Sequence, residues 1–139
     1  EIMGEKPDIM ISGINTGFNI GKAELTTSGT IGAALEAASF GIPSIAISQE
    51  VTRDYIKFEN GTVDIDFSFA GKMLRKLVKI VLKKGLPNGI DLLNVNIPEN
   101  PVDEEFEVAK LGNSNNSKKI GSTWKTLLLD WRRPLQFRL

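Results

Sequence analysis

Short apolar runs alternate along the chain with longer segments in which apolar and polar positions recur at helical spacing. The apolar runs are brief and bounded by Pro or Gly, which is typical of strands buried inside a parallel sheet. They predict strands over residues 8–12, 44–48 and 92–97, and a further strand is predicted over residues 106–111.

Two helices are predicted between these strands. The first begins at Thr27 or Ser28, either of which can cap it, runs to about Phe40 and stops at Gly41. The second follows a cap at Asp66, covers residues 67–84 and ends at Gly85. Its apolar positions fall on one face, opposite a row of basic residues. The apolar face contains Phe69, Met73, Leu77, Ile80 and Val81, and the basic face contains Lys72, Arg75, Lys76, Lys79 and Lys83.

The order strand–helix–strand–helix–strand predicts an α/β domain with a mostly parallel sheet. Right-handed crossovers place helices on both faces of such a sheet, and ligands bind beyond the carboxyl ends of its strands. Residues 13–25 follow the first strand at that end and are predicted to form a loop. The architecture alone therefore indicates this loop as the site.

The residue types in the loop suit a phosphate group. Its glycines let the backbone approach a ligand closely, while Asn15 and Asn19 offer amide donors and acceptors. The loop leads into Ser28-Gly29-Thr30, where free N–H groups and the positive end of a helix dipole favour an anion. Turn chemistry for the two asparagines and a plain helix cap for Ser28 remain alternative interpretations.

Composition narrows the chemistry. Lys plus Arg and Asp plus Glu both number 17, so the formal net charge is zero, which argues against a general nucleic-acid binder. The sequence has no Cys and no His, so disulfides, a histidine base and histidine metal ligands are excluded, and a metal must be bound through oxygen. Since no apolar run is long enough to cross a membrane and no signal peptide opens the chain, a cytoplasmic location is expected.

Other phosphate-binding motifs fit less well. The stretch from Gly17 to Lys22 is one residue short of a P-loop and is followed by Ala23 where a hydroxyl is needed. No G-x-G-x-x-G fingerprint occurs. Asp64 and Asp66 resemble an aspartyl-phosphatase pair, but they lack the long apolar strand that precedes such a pair, and Asp66 is explained as a helix cap.

Charge is unevenly distributed. Residues 1–109 contain 10 basic and 16 acidic residues, a net of −6, whereas residues 110–139 contain 7 basic and 1 acidic residue, a net of +6. The sequence therefore predicts a domain over residues 1–110 and a divergent basic tail over residues 111–139. An ordinary solvated tail and a docking segment for acidic partners both fit this tail.

The ordered set of motifs closely resembles the survival protein SurE family of metal-dependent nucleotidases over residues 7–110. The matching motifs are Pro7-Asp8, Ser12-Gly13-Ile14-Asn15-x-Gly17-x-Asn19-x-Gly21, Ser28-Gly29-Thr30, Ala33-Ala34-x-Glu36, Gly41-Ile42-Pro43-Ser44-Ile45-Ala46-x-Ser48 and Leu92-Leu93-Asn94-Val95-Asn96-Ile97-Pro98.

The resemblance implies a Rossmann-like three-layer sandwich, here a partial copy, and hydrolysis of nucleoside 5′- and 3′-monophosphates. It implies a divalent cation, Mg²⁺ or Mn²⁺, which polarises the phosphoryl oxygen, and a homo-oligomer, a dimer or tetramer, with no membrane or nucleic-acid partner. By resemblance Asn15 is a metal ligand, and Asn19 and Ser28 are catalytic. The implied phosphate contacts are Asn15, Gly17, Asn19, Ser28, Gly29 and Thr30.

The family's paired aspartates and a serine ligand belong to an N-terminal segment that this chain is expected to lack, together with the family's C-terminal region. A frame change or a truncated gene is a hypothesis for the shift in composition after Lys110. Three interpretations follow. The chain is the central portion of an enzyme that needs the missing segment, an inactive phosphate- or nucleotide-binding remnant, or a basic-tailed interaction domain.

Overall fold

A computed structural model describes residues 4–51, 65–104, 106–108 and 124–129. Within them one sheet has the strand order β1-β2-β3-β5-β4. β1, β2 and β3 are parallel, β5 is antiparallel to β3, and β4 is parallel to β5. The elements in chain order are β1 (Met10–Thr16), α1 (Lys22–Thr27), α2 (Gly29–Ser39), β2 (Ser44–Gln49), α3 (Ser68–Lys84), β3 (Leu92–Ile97), β4 (Phe106–Val108) and β5 (Trp124–Leu129).

The helices pack on opposite faces of the sheet, which confirms the predicted α/β fold with three layers. Alternate residues of the central strands point to opposite sides, so each strand contributes to two cores. On one face Ile45, Ile47 and Val95 pack against α3. On the other face Ala46 and Leu92 pack against α2. The central strands β2 and β3 are buried along their whole length, as the apolar runs predict.

The ends of the two long helices follow the sequence closely. The Ser28 hydroxyl accepts a hydrogen bond from the N–H of Ile31 (3.3 Å) and thereby caps α2. After α2 the chain turns at Gly41, whose φ of 68° favours glycine. The Asp66 carboxylate accepts hydrogen bonds from the Ser68 hydroxyl and from the Ser68 N–H (2.8 Å), and these bonds, chiefly that of the hydroxyl, lower the pKa of Asp66. The predicted cap at Asp66 is wrong by one residue, because Phe67 is the N-cap of α3.

The buried stripe of α3 differs from the prediction at three positions, since Ala70 is buried, Phe69 is only half-buried and Ile80 is exposed. Ala70, Met73, Leu77 and Val81 are its buried residues. Ile80, which the sequence placed on the apolar face, is 47% exposed.

The basic face of α3 is exposed, as predicted. Lys72 and Lys76 form ion pairs with Glu104, the second at 3.1 Å, and these hydrogen bonds lower the pKa of Glu104. These pairs connect α3 to the segment before β4. Exposed pairs of this kind contribute little to stability, so the basic face is a solvated surface.

The predicted loop over residues 13–25 is wrong as a single loop. β1 continues to Thr16, and residues 22–27 form the short helix α1. Glycine and asparagine suggested a loop, but Asn15 and Thr16 pair with Ser48 and Gln49 of β2 and so remain in the sheet.

The sheet also extends into the predicted tail. Phe106–Val108 form a strand as expected, although residues 109–111 lie outside the described part. Trp124–Leu129 form β5, which pairs with β3 and was not predicted. The boundary near residue 110 stays a prediction. No helix among the described residues is long and apolar enough to span a bilayer.

Candidate functional site

A bulge in β1 turns Asn15 toward the α2 face of the sheet. Ser12 pairs with Ala46 and Asn15 pairs with Ser48, so two residues of β1 lie opposite the single residue Ile47. Paired residues project to the same side, and Ala46 packs against α2. Asn15 is three positions after Ser12, so in a regular strand it would project to the opposite side, toward α3, and the extra residue of the bulge reverses this.

Gly13 is the residue that permits this bulge. Its φ is 117°, and a Cβ atom at this position would overlap the carbonyl oxygen of Ile47 on the neighbouring strand. A side chain is therefore excluded on both conformational and steric grounds. The glycine of the Ser12-Gly13-Ile14-Asn15 motif thus determines where Asn15 points.

Beyond β1, the segment from Gly17 to Gly21, here called the crossing loop, runs over the carboxyl ends of β2 and β3. Gly17 is buried with φ of 118°, and its N–H donates to the carbonyl of Gln49 at the end of β2 (2.7 Å). This bond starts the loop in a fixed direction directly after Asn15.

Asn19 is held at the centre of the crossing loop by three buried polar side chains. Its N–H donates to Oδ1 of Asn96 (2.8 Å), and its carbonyl accepts from Nδ2 of Asn94 (2.6 Å) and of Asn96 (3.3 Å). Its own Nδ2 donates to the hydroxyl of Ser48 (2.6 Å). These four residues, which we call the Asn19 clasp, are each at most 4% exposed.

Sequence reasoning placed Asn19 in the site but missed its three partners. A signal was present: Asn94 and Asn96 alternate with apolar residues in a strand otherwise suited to complete burial. Buried polar groups need hydrogen-bond partners, so two asparagines on one face of such a strand indicate a polar structure above it.

The amino end of α2 lies at the same edge of the sheet. In a parallel β–α–β unit the helix returns antiparallel to the strands, so its first turn is level with their carboxyl ends. The Ile31 N–H is bonded to Ser28, whereas by helix geometry the N–H groups of Gly29 and Thr30 point out of the helix end. A Cβ atom at Gly29 would meet nothing within 4 Å, so the space beside this end is open.

The structure therefore brings the predicted residues to one edge of the sheet, in different environments. Asn15 is half-buried on β1, and Asn19 is buried in the clasp. Ser28 is half-buried, Gly29 is exposed and Thr30 is half-buried. Open polar groups at Asn15 and at the start of α2 suit an oxyanion, and Gly17 and Asn19 form the connection between them.

The acidic residues do not complete a metal site in the described ranges. No group of three or more Asp, Glu, His or Cys side chains there is arranged to hold a metal ion. The Asn15 amide oxygen is a suitable but neutral ligand for a hard cation. Asp66 accepts hydrogen bonds from Ser68 at the start of α3, and Asp64 lies outside the described residues. The residues described here therefore do not fit a divalent cation by themselves.

Two buried acceptors near this edge lack hydrogen-bond donors among the described residues, namely Oε2 of Glu24 and Oε1 of Gln49. The Glu24 carboxylate folds back over Gly21, where a Cβ atom would collide with it. Gln49 donates through Nε2 to the carbonyl of Asp66 (2.9 Å). Gly21 thus leaves room for an acidic side chain at the end of the crossing loop.

The chain matches known proteins of one family. The model of the family Survival protein SurE matches residues 1–118. The 5′-nucleotidase SurE of Methanobrevibacter smithii is 98% identical over 113 residues, which are 81% of this chain and 44% of that protein. The namesake from Methanothermobacter thermautotrophicus is 54% identical over 112 residues, 81% of this chain and 43% of that protein.

A solved structure shares the fold. The crystal structure of the SurE protein from Aquifex aeolicus superimposes with a TM-score of 0.68 at 26% identity, covering 91% of this chain and 60% of that one. The chain spans less than half the length of the two curated relatives. The family match and the shared fold together show that this chain belongs to the SurE family.

Proposed function

We propose that the chain is the phosphate-binding part of a metal-dependent phosphomonoester hydrolase that acts on nucleoside 5′- and 3′-monophosphates. The observation that carries the proposal is the β1 bulge, which turns Asn15 to the face on which the amino end of α2 opens. The name 5′-nucleotidase, carried by the relatives, supports this substrate class. A cytoplasmic location and a homo-oligomeric state stay predictions.

In this proposal the substrate phosphate lies between Asn15 and the first turn of α2. The N–H groups of Gly29 and Thr30 and the hydroxyls of Ser28 and Thr30 bind its oxygens, and the helix dipole adds a favourable potential. Such donors stabilise charge that develops on the equatorial oxygens during phosphoryl transfer. Gly17 and Asn19 complete the phosphate-binding set, and Asn19 has a second N–H on Nδ2 besides the one that Ser48 accepts.

Asn15 is the proposed metal ligand of this chain, for Mg²⁺ or Mn²⁺. A divalent cation needs negatively charged ligands, and the described residues form no acidic cluster. We propose that these carboxylates come from parts of the protein outside this chain, because the relatives are more than twice as long as the matched segment.

The second candidate function is binding of a phosphate or nucleotide without catalysis. It is favoured by the absence of an acidic metal cluster among the described residues. Both functions use the same α2 amino end and differ only in whether carboxylates and a cation join it.

A hydrolysis assay separates the two functions. We define the completed protein as residues 1–110 of this chain joined to the remaining segments of the Methanobrevibacter smithii relative. The chain alone is expected to release no phosphate from AMP or p-nitrophenyl phosphate with Mn²⁺, whereas the completed protein is expected to turn both over. If the completed protein binds AMP but never hydrolyses it, the non-catalytic function is correct.

Substitution at Ser28 separates its capping role from its proposed phosphate contact. Ser28→Ala should lower the free energy of unfolding by about 1 kcal/mol, because the cap on Ile31 is lost. Ser28→Asp keeps a good cap and should preserve stability, yet its negative charge should weaken AMP binding by the completed protein more than Ser28→Ala does. Thermal unfolding and AMP titration provide the two readouts. Equal AMP affinities for the two variants would remove Ser28 from the phosphate site.

A further inference from the structure

The side chains of the Asn19 clasp form hydrogen bonds to both backbone polar groups of Asn19, as a neighbouring strand does in a sheet. Asn96 both accepts from the N–H of Asn19 and donates to its carbonyl, so one side-chain amide satisfies both polar groups of this residue. Asn94 donates to the same carbonyl, and Asn96 also donates to Oδ1 of Asn94 (3.4 Å). Because the donor and acceptor of the Asn19 backbone are fixed, the orientation of the Asn96 amide is fixed as well.

Because the clasp residues are buried, their hydrogen bonds determine whether the crossing loop stays docked. Ser48, Asn94 and Asn96 are buried at the carboxyl ends of β2 and β3. Because water does not reach these groups, it cannot replace a hydrogen-bond partner that is lost there. If Asn96 were removed, both backbone groups of Asn19 would lose a partner, and the crossing loop would exchange with undocked conformations.

We propose that Ser48, Asn94 and Asn96 are positioning residues for phosphate binding: by gripping Asn19 they hold the crossing loop docked between Asn15 and α2. This inference rests on the proposed function, since it assigns these residues to the same phosphate site. They contact Asn19 and not the substrate, so they set the fraction of molecules that are competent to bind.

A role in positioning has a kinetic signature. When only a fraction of the protein is binding-competent, the apparent dissociation constant rises by the inverse of that fraction. Bound substrate selects the docked loop, so the bound complex reacts at its normal rate. Loss of the clasp should therefore raise KM while kcat is largely kept.

The test compares Asn96→Ala with Val95→Ala, its neighbour on the other face of β3. Val95 lies in the core against α3, on the face of β3 opposite to the clasp, so its truncation should destabilise the core while the crossing loop stays docked. In the completed protein, Asn96→Ala should raise KM for AMP about tenfold and change kcat less than threefold. Ser48→Ala removes only the bond to the Asn19 side chain and should give a smaller rise. Val95→Ala should change neither constant at a temperature where all variants are folded.

Hydrogen exchange of the 139-residue chain gives a readout that does not need catalysis. In Asn96→Ala the amides of the crossing loop, above all that of Asn19, should exchange faster relative to those of β2, whereas Val95→Ala should not change this ratio. Unchanged exchange at Asn19 would overturn the inference, and so would faster exchange with an unchanged KM. Failure of the proposed function is distinct from both, because it would be seen as absent turnover in the unsubstituted completed protein.

Discussion

Asn15→Ala in the completed protein is expected to lower kcat/KM for AMP by about 10²–10³-fold, the usual cost of losing one preorganised polar group that faces the reacting centre. Asn15 is placed there by the bulge, and its amide oxygen is the proposed link between β1 and the cation. The same substitution should raise the Mn²⁺ concentration needed for half-maximal turnover. Steady-state assays over a Mn²⁺ series measure both effects.

The matched control is Asn88→Ala. Asn88 is an exposed asparagine before β3, at the opposite edge of the sheet, and its truncation should leave turnover and Mn²⁺ dependence unchanged. Thermal unfolding of both variants should show that each is folded at the assay temperature. Undiminished turnover in Asn15→Ala would remove this residue from the site.

Gly13→Ala is expected to lower the free energy of unfolding by about 3 kcal/mol, from a Cβ forced against a strand carbonyl and from an unfavourable φ. The bulge can relieve the overlap only if β1 moves away from β2, and that movement would turn Asn15 out of the site. We therefore expect loss of turnover in the completed protein even at temperatures where it remains folded. Chemical denaturation and the AMP assay measure the two effects.

Gly32→Ala provides the control for this prediction. Gly32 is an exposed residue of α2, and a Cβ there meets nothing within 4 Å. Replacing a helical glycine with alanine should raise stability by about 0.5–1 kcal/mol and leave activity unchanged. A stable, active Gly13→Ala protein would contradict the role given to the bulge.

The sequence predicted the elements whose signals are local. The strands at Ser44–Gln49 and Leu92–Ile97 are continuous apolar runs, and the ends of α2 follow from Ser28 and Gly41. Burial on both sheet faces leaves such segments few alternatives, so propensity and tertiary structure agree.

The features that were not predicted depend on contacts between distant parts of the chain. The side to which Asn15 projects depends on the register of β1 against β2, and the bulge at Gly13 shifts that register by one residue. The Asn19 clasp joins residues 29 to 77 positions apart. β5 was not predicted because a basic, polar composition suggested a tail, whereas β3 offers it an open edge.

We expect a phosphoryl group and a divalent cation to bind side by side between Asn15 and the amino end of α2. A crystal structure of the completed protein grown with Mn²⁺ and phosphate tests this expectation most directly, with anomalous scattering to identify the metal. The expected result is a manganese peak at ligand distance from Oδ1 of Asn15 and a phosphate bonded to the N–H groups of Gly29 and Thr30. Manganese bound away from Asn15, or phosphate held elsewhere while this end of α2 contains only water, would contradict it.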